Sequence, residues 1–519
     1  MKAKFTYLNL GRIYQGVIFL LWMSLSYATF ASNSPYLKEE THCKRILKSL
    51  WEKQGGQAMP GLFIENIAVF GKPAEYDVKR KSIILDPRAY KLCLDVSKGK
   101  DDALAFLLAH ELVHAYQHAS FSYESPGFFV NSKSLKSWAD SQKRRRRQME
   151  SKADIWGAIL CYLAGYRVEN SIPNFIEELY TAFELNEEDP LYDSKKERLA
   201  IAERAKEEAK KALQVYDMAI YLSLLQQHDK DTVLYQYLIR DFRSAEFYNN
   251  LGLSYAKSAL PMLDKPYRSY PYPWVLDTES RLDKISKGKL SAEELLLKSI
   301  TQFNKAIRSN PDYLPNRINR ACVFHILSGN AGSNKAYFLQ QARADLAFVQ
   351  AKNTGPNQKR LTDKSRELLN ILNGKTTAIA GSQRHSIEIP ACSFMSLDGV
   401  DISKAYTLDR LKPDWKINLS FEEGIELFGK SLPQSHLLYY KANGMGKSLC
   451  FQKVSRTIGD APAGVYQVGV TIPLSVRQKM RSSISPAQST SYLIQDSQGL
   501  VYKVDARGKV LEWVLYREV

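Results

Sequence analysis

The chain has 519 residues, enough for two to four domains that each bury a core of their own. Apolar residues make up 45% and charged residues 24%, which are the proportions of a soluble globular protein and exclude a disordered, collagen-like or polytopic membrane protein. The net charge of +17 favours anionic surroundings, such as envelope lipids, acidic proteins or nucleic acid, without choosing among them.

The N-terminal segment has the pattern of a secretory signal peptide. Three basic residues precede an apolar run that starts at Gly16, and Thr29 and Ala31 occupy the −3 and −1 positions of a cleavage site. The run is shorter than the ~20 residues that a membrane span needs, which favours cleavage over an uncleaved anchor. We therefore expect residues 1–31 to be removed and the mature protein to be periplasmic or secreted.

Six cysteines remain after cleavage, and an even number in an exported chain permits disulfides. We predict bridges within candidate domains, pairing Cys43 with Cys93 and Cys392 with Cys450. The other two, Cys161 and Cys322, lie on predicted helices in different segments, and we expect both to be buried thiols.

Residues 40–230 mix short strands with long helices. Gly61–Phe70 and Ser82–Leu85 have the composition of strands. Apolar residues at helical spacing and an acidic first turn predict a helix over Asp101–Ala119. A second long helix is predicted from about Leu135 to Leu163.

A helical stretch follows the strands, and residues 231–375 resemble tetratricopeptide repeats. Aromatic and small residues recur at the repeat's spacing, with a long insertion over Lys257–Ala292 between the first two helices. The matching positions of the first unit are Tyr248, Leu251, Gly252, Tyr255, Ser299, Phe303, Ala306 and Pro311. A second, weaker unit follows, and a generic helical bundle is the alternative.

The last part of the chain, residues 381–519, is predicted to be a β-rich domain. Short alternating runs are typical of strands, and they are found at Leu437–Lys441, Gly464–Ile472, Leu500–Val504 and Val510–Tyr516. The fold class predicted for the whole chain is therefore α+β: a mostly helical catalytic domain, helical repeats and a β-rich C-terminal domain.

The segment LLAHELVHAYQH contains the candidate metal-binding and catalytic residues. His110, Glu111 and His114 form H-E-x-x-H on the first predicted helix, and a spacing of four places both imidazoles on one helix face. Two such imidazoles can share one Zn²⁺, with Glu111 beside it as a general base for a water molecule. This is the arrangement of a metal-dependent hydrolase.

A zinc hydrolase needs a third protein ligand. His118 is one candidate, but the metzincin pattern is excluded because Gln117 and Ser120 stand where that class has Gly and His. Glu150 on the second predicted helix is the better candidate. Asp154 lies one turn later on the same face and is suited to accept the N–H of a ligating imidazole.

H-E-x-x-H followed some 35 residues later by E-x-x-A-D resembles the gluzincin metallopeptidases. The similarity covers about Ala103 to Ala202 and is to the family that contains the HtpX heat-shock protease, the CAAX prenyl protease and periplasmic metalloproteases with tetratricopeptide tails. It implies a zincin-type domain that binds one Zn²⁺ per chain. The roles that it implies are His110, His114 and Glu150 as ligands, Glu111 as base and Asp154 behind the ligands.

The resemblance also implies a residue that stabilises the tetrahedral intermediate, for which Tyr192 and Arg198 are the candidates. From the order of elements, the strand around Lys81–Leu85 is expected to offer its edge to an extended peptide.

Five consecutive cations over residues 143–147 precede Glu150. A solvated face is the first interpretation of such a run, and contact with an acidic substrate or an anionic membrane surface is the second. Nucleic acid is not expected as a partner, because the export signal and the absence of a nucleic-acid-binding motif both disfavour it.

The sequence thus predicts an exported zinc endopeptidase that acts on envelope or extracellular proteins, with the repeats binding substrate or partner. The alternative is an envelope chaperone or scaffold in which the repeats carry the function and the zinc site is latent. Cleavage of a protein substrate that a chelator abolishes distinguishes the two.

Overall fold

The structure is a computed structural model, and it describes the chain in segments. These are residues 35–54, 58–67, 72–97, 100–121, 132–168, 172–185, 194–239, 245–263, 267, 270–276, 291–330, 334–352, 356–375, 396–397, 400–402, 411–419, 425–442, 448–457, 465–484, 490–495 and 499–518. The predicted signal peptide, Tyr192 and Cys392 lie outside them. Within these segments, we find no helix with the length and hydropathy needed to cross a membrane.

A three-stranded sheet opens the fold, with strands β1 (Gly61–Ile64), β2 (Ala74–Asp77) and β3 (Ser82–Leu85) in the order β1-β3-β2. Strand β3 is parallel to β1 and antiparallel to β2, and all four of its residues are buried. The prediction that the Lys81–Leu85 strand offers a free edge is therefore wrong, because β3 is paired on both sides. Strands β1 and β2 are the edge strands, and β2 packs on the helix that carries H-E-x-x-H.

Six helices enclose this sheet in one apolar core. They are α1 (Leu37–Gln54), α2 (Pro87–Val96), α3 (Asp102–Phe121), α4 (Ser132–Leu163), α5 (Ile172–Ala182) and α6 (Lys195–Leu224). Helix α2 begins directly after β3, where the Asp86 carboxylate caps the Arg88 N–H at 2.9 Å and Pro87 occupies the first helical position. The helices predicted over Asp101–Ala119 and from about Leu135 to Leu163 are confirmed as α3 and α4.

Helix α6 belongs to two cores. Leu213 and the residues before it pack with the N-terminal helices, whereas Val215 and the buried residues after it pack with the later helices and the C-terminal sheet. The predicted domain boundary near residue 230 lies after this helix. One continuous 30-residue helix therefore joins the N-terminal part of the chain to the rest.

The helical region continues with consecutive helices that pack as neighbours. They are α7 (His228–Leu238), α8 (Ala245–Ala259), α9 (Ala292–Ser309), α10 (Pro315–Asn330), α11 (Lys335–Ala351) and α12 (Pro356–Leu372), with a short 3₁₀ turn at Leu260–Met262. Two of the repeat positions found in the sequence meet here, since a Cβ on Gly252 would lie 2.8 Å from the ring of Phe303. Glycine at 252 is what allows α8 and α9 to approach this closely.

The insertion between α8 and α9 contains residues Tyr270–Leu276, which we call the aromatic segment. It forms neither helix nor strand, yet Tyr272, Val275 and Leu276 in it are buried. The hydroxyl of Tyr272 lies 2.9 Å from Nδ1 of His325 on α10. The segment is thus part of the packed interior of the helical region.

The C-terminal region is a sheet buried on both faces. Its eight strands among the described residues are antiparallel, in the order β10-β11-β12-β13-β9-β8-β7-β6. The strands and short elements of this region are β4 (Ser396–Leu397), β5 (Val400–Asp401), β6 (Trp415–Leu419), β7 (Ile425–Ser431), β8 (His436–Ala442), β9 (Leu449–Val454), α13 (Leu474–Arg477), β10 (Arg481–Ile484), β11 (Thr490–Gln495), β12 (Leu500–Asp505) and β13 (Val510–Glu518). The α+β fold class with a β-rich C-terminal region is confirmed.

Alternate residues of each strand serve the two faces of this sheet. In β8, Leu438 and Tyr440 pack against the helices, while Leu437 and Tyr439 pack into a separate core on the opposite face. The predicted Gly464–Ile472 strand is wrong. Among its described residues only Thr471 makes a β-bridge, to Lys509.

A buried ionic cluster fastens this sheet to α6. Lys453 on β9 places its Nζ 2.6 Å from the Asp217 carboxylate on α6 and 3.0 Å from the Glu512 carboxylate on β13. The hydroxyl of Tyr221 on α6 donates to Glu512 at 3.0 Å. Burial disfavours the charged ammonium, but Asp217 and Glu512 outweigh it and hold the pKa of Lys453 well above its usual value.

The described cysteines are buried, and none of them forms a disulfide. Cys43 and Cys93 lie in the same N-terminal core, so the bridge predicted between them is not formed in the structure. Burial raises the pKa of the Cys43 thiol to about 12, which keeps it protonated at neutral pH. Cys161 and Cys322 are buried thiols, as expected from their positions on helices.

We predict that Lys453→Met lowers the free energy of unfolding by about 3–5 kcal/mol, because it leaves two carboxylates buried without their cation. Urea denaturation followed by tryptophan fluorescence measures the change. Lys416→Met is the matched control, since Lys416 pairs with Glu426 at the exposed surface of the same sheet and its loss costs about 0–1 kcal/mol. If the two substitutions lowered the free energy of unfolding equally, the conclusion that the ionic cluster around Lys453 fastens the sheet to α6 would be wrong.

We also predict a pH-dependent loss of stability at His325. Burial, together with Lys335, lowers the pKa of His325 to about 4. The unfolded chain, with an ordinary pKa near 6.5, binds more protons between these values, so stability is full above about pH 6.5 and falls as the pH drops towards 4. His325→Gln does not titrate, and its urea midpoint should therefore fall less than that of the parent between pH 7 and pH 4.5. If the urea midpoints of the parent and of His325→Gln fell equally with pH, His325 would not be the source of the loss of stability.

Candidate metal centre

Helix α3 places the two histidines of H-E-x-x-H side by side. Both project from the same helix face one turn apart, and their Nε2 atoms lie 3.0 Å from each other. His110 is buried and His114 is half-buried, so neither imidazole lies on an open surface. The sequence spacing alone predicts this juxtaposition, because it depends only on the helical repeat.

Helix α4 supplies the carboxylate. The Glu150 oxygens lie 3.3 Å from Nε2 of His110 and 3.4 Å from Nε2 of His114. One ligand atom from each of the three side chains lies within 4.8 Å of the ligand atoms of the other two. The structure therefore brings together the three residues predicted as ligands, although Glu150 is 36 residues from His114 along the chain.

A glycine sets the distance between these two helices. A Cβ on Gly157 of α4 would lie 3.2 Å from the backbone nitrogen of His110. Any larger residue at 157 would push α4 and its carboxylate away from the imidazoles. Glycine at this position was not singled out by the sequence, because nothing local marks it as a helix contact.

The donor set fits a zinc ion. Two imidazole nitrogens and one carboxylate oxygen are the ligands of a catalytic zinc site that keeps a fourth position open. Ligand atoms about 2.0–2.2 Å from a tetrahedral ion lie roughly 3.3–3.5 Å apart, which matches the separations between Glu150 and the two imidazoles. The residues present thus fit Zn²⁺ in identity and number, and their spacing fits to within a few tenths of an ångström, since the two Nε2 atoms lie 3.0 Å apart.

Asp154 fixes the orientation of His110. Its carboxylate accepts a hydrogen bond from Nδ1 of His110 at 2.8 Å, which leaves Nε2 facing the ligand cluster. The carboxylate is fully buried and is also bound by both terminal nitrogens of Arg198, one of them at 2.7 Å. Asp154 has the position predicted for it.

Gln117 fixes the orientation of the His114 ring. Its Oε1 accepts from Nδ1 of His114 at 2.9 Å, and its Nε2 donates to the Met149 carbonyl on α4 at 2.9 Å. Sequence reasoning noted Gln117 only as a mismatch to another pattern. The available signal was a polar residue three positions after His114, on a helix face that is otherwise buried.

Glu111 is buried beside the imidazoles and outside the ligand cluster. Burial raises the pKa of its carboxyl, and the neighbouring His114 and His110 only partly offset the effect. A backbone hydrogen bond from Tyr76 of β2 also reaches this carboxylate. A carboxyl whose pKa is moved towards neutrality is suited to take up and release a proton.

Charge at this site is shared among five side chains, which are His110, His114, Glu150, Asp154 and Arg198. Burial alone would lower the pKa of His110, but hydrogen bonds to Asp154 and Glu150 raise it to about 10. Burial alone would likewise raise the pKa of Glu150, yet the two imidazoles and Arg198 hold it well below its usual value. The carboxylates are thus stabilised by the positive charge of the imidazoles and Arg198. A divalent cation bound between the ligands would supply positive charge in the same place.

Arg198 sits in the first turn of α6, within a capping box formed by Ser194 and Glu197. It is buried, binds Asp154, and lies 3.6 Å from Glu150. These contacts make it a positioning residue on the ligand side of the site. The other candidate for stabilising an intermediate, Tyr192, is outside the described residues.

His118 does not join the cluster. It is exposed on α3, with its ring 6.2 Å from that of Tyr76. The choice of Glu150 over His118 as the third candidate ligand therefore agrees with the geometry.

Compared with known proteins, the sequence matches no protein-family model, and neither the curated proteins nor the solved structures contain a match to it. The assignment of the site therefore rests on its residues and their geometry.

We predict that Glu150→Gln weakens metal binding as strongly as His110→Ala, because the first replaces an anionic ligand by a weak neutral amide oxygen and the second removes an imidazole ligand. Asp154→Asn should retain the metal with an affinity or activity reduced by about 10–100-fold, since it disturbs only the orientation of a ligand. Elemental analysis and zinc titration of the purified variants measure both. Unchanged zinc affinity in Glu150→Gln would transfer the ligand role to another residue.

We further predict that Gln117→Met lowers zinc affinity by about 10–100-fold, because His114 loses the acceptor that holds its ring. His118→Gln is the control, as it alters an exposed residue one position along the same helix and should leave zinc affinity unchanged. The same titration serves for both variants. If the control lost as much affinity as Gln117→Met, the role assigned to Gln117 would fail.

Proposed function

We propose that the protein is an exported zinc-dependent endopeptidase that hydrolyses peptide bonds of envelope or extracellular proteins. The observation that carries the proposal is the convergence of His110, His114 and Glu150, with Glu111 buried next to them. Two imidazoles, one carboxylate and an adjacent general base are together the donor set and proton acceptor of a zinc peptidase. The gluzincin resemblance of the sequence supports the same reading.

When bound, Zn²⁺ supplies a Lewis acid that polarises a peptide carbonyl and lowers the pKa of water to about 7. His110, His114 and Glu150 would hold the ion, and Asp154 and Gln117 keep the two rings in the required orientation. Glu111 accepts the proton of the attacking water and delivers it to the leaving amine. Its raised pKa makes the carboxylate a stronger base for the first of these transfers, and the second still proceeds because the leaving amine is more basic than the carboxylate.

Strand β2 is the element best placed to hold a substrate. It is hydrogen-bonded to β3 on one side, and the Tyr76 N–H reaches Glu111, so its other edge faces the site. An extended peptide added to this edge would bring its backbone past the imidazoles. Recognition through backbone hydrogen bonds suits an enzyme that acts on many protein sequences.

Residues 143–147 lie on α4 shortly before Glu150, and the position of this cationic run fits contact with an acidic substrate or an anionic membrane surface. Its last residue, Arg147, contacts Glu197 in the first turn of α6. The helical repeats are the proposed binding region for protein partners, and nucleic acid is not a proposed partner.

We predict that Glu111→Gln binds zinc at close to one equivalent but turns over a protein substrate at least about 10²–10⁴ times more slowly. The amide preserves the size of the side chain but cannot accept a proton from water. Casein cleavage and elemental analysis of the same preparation give the two quantities.

A chelator should abolish cleavage by the parent chain, and adding zinc back should restore it. Parental activity in Glu111→Gln would overturn the peptidase proposal in favour of a chaperone or scaffold. Loss of zinc from the variant would instead show that Glu111 helps to build the site.

A further inference from the structure

The aromatic segment, Tyr270–Leu276, is held by the helical region in the manner of a bound peptide. It lies against α8, α10 and α12, which are neighbours in the packing of that region. Val275 is 1% exposed and Leu276 is 7% exposed, although neither belongs to a helix or strand. The burial of a non-regular stretch depends on the partners that its backbone finds in the surrounding helices.

Two buried asparagines provide those partners. Asn319 on α10 accepts from the Val275 N–H at 2.8 Å and donates to the Val275 carbonyl at 2.7 Å. Asn249 on α8 donates to the same carbonyl at 3.0 Å and also accepts from Asn319 at 2.9 Å. A side-chain amide carries the same donor and acceptor as a peptide unit, so this pair recognises backbone whatever the side chain.

Side-chain pockets add selectivity. Val275 packs among Leu314 and Ile318 from the start of α10 and Leu361 from α12. Upstream, the rings of Tyr270 and Tyr272 both contact the ring of His325. The groove therefore has an aliphatic pocket next to the asparagines and an aromatic pocket three to five residues before it.

The composition of the segment suits it to such a groove. Pro271 and Pro273 alternate with aromatic residues, and proline fixes φ in the range of an extended chain. The N–H groups of Tyr272 and Trp274 bond to carbonyls two residues earlier in the segment itself. The two prolines and these internal bonds restrict the backbone before it docks, so the segment loses less conformational entropy than an unrestricted chain does.

We propose that α8, α10 and α12 form a binding groove for peptides of the pattern aromatic-Pro-aromatic-Pro-aromatic-aliphatic-aliphatic, and that the aromatic segment is its tethered occupant. A partner protein that presents a segment of this chemistry displaces the occupant. The proposal specifies the partner class for the repeat region of the proposed function. It involves none of the residues of the metal centre.

Tethering determines how strongly a partner must bind. A covalently linked occupant competes at an effective concentration of the order of millimolar, so an external peptide binds the parent chain far more weakly than it binds an empty groove. Removing the tethered occupant should therefore reveal the affinity of the groove.

The test uses the full chain in a Glu111→Gln background, so that cleavage does not consume the probe. In one variant, Tyr270–Leu276 is replaced by a Gly/Ser stretch of equal length. The probe is a fluorescent synthetic peptide of that same seven-residue sequence with capped ends, and its binding is followed by anisotropy. We expect binding to the replaced chain at least about tenfold tighter than to the unreplaced chain.

Two changes in the peptide leave the protein untouched. Methylation of the Val275 backbone nitrogen removes the N–H that Asn319 accepts, and it should weaken binding about tenfold. Val275→Asp in the peptide should weaken binding at least as much, because it places a charge in an apolar pocket. On the protein, Asn319→Ala should weaken binding, whereas Asn373→Ala, at the exposed end of α12, should have no effect.

If the replaced chain is folded and does not bind the peptide, or binds the methylated peptide equally well, the proposal is overturned. If the replacement prevents folding, hydrogen exchange of the Val275 amide in the unreplaced chain decides instead. Excess peptide should then accelerate that exchange, and unchanged exchange under saturating peptide overturns the proposal. None of these outcomes depends on zinc or turnover, so the peptidase proposal stands or fails separately.

Discussion

The fully buried carboxylate of Asp154 is the interaction on which the rest of the site depends. It binds His110 on α3 and Arg198 on α6 while itself belonging to α4, so one side chain ties three helices together. A buried carboxylate is stable only when its partners satisfy it, and here a guanidinium and an imidazole both do so. The relative positions of α3, α4 and α6 are thereby set by the same contact that orients a candidate metal ligand.

Helix α6 extends this constraint through the molecule. Its first turn carries Arg198, and its last turns carry Asp217 and Tyr221, which bind Lys453 and Glu512 of the C-terminal sheet. At 1.5 Å per residue, Arg198 and Asp217 are about 28 Å apart along the helix axis. The sheet therefore braces the helix whose other end supports the metal centre, and this gives the C-terminal region a structural role in the proposed enzyme.

The helical region contains the proposed peptide-binding groove, and the aromatic segment of the same chain occupies that groove. Asn249 and Asn319 are buried polar groups that neither helix satisfies, and the Val275 peptide unit completes their hydrogen bonding. The tandem helices therefore present a surface whose polar requirements match an extended backbone. A substrate or partner protein in an unfolded or extended state has the same chemistry, which links this surface to the proposed cleavage of envelope proteins.

The sequence by itself determined what depends on local spacing. The helical period placed His110 and His114 on one face, and the alternation of apolar residues predicted the strands Leu437–Lys441 and Val510–Tyr516. The resemblance of H-E-x-x-H and E-x-x-A-D to the gluzincin pattern pointed to Glu150 and Asp154, and the structure brings both to the imidazoles.

Only the tertiary structure decided the contacts between distant elements. The partner of His114, the close approach at Gly157 and the edge position of β2 rather than β3 all depend on how helices and strands pack. Cys43 and Cys93 likewise show that a shared domain does not make a bridge. Side-chain type and spacing fix which face of an element a residue occupies, but packing fixes what that face meets.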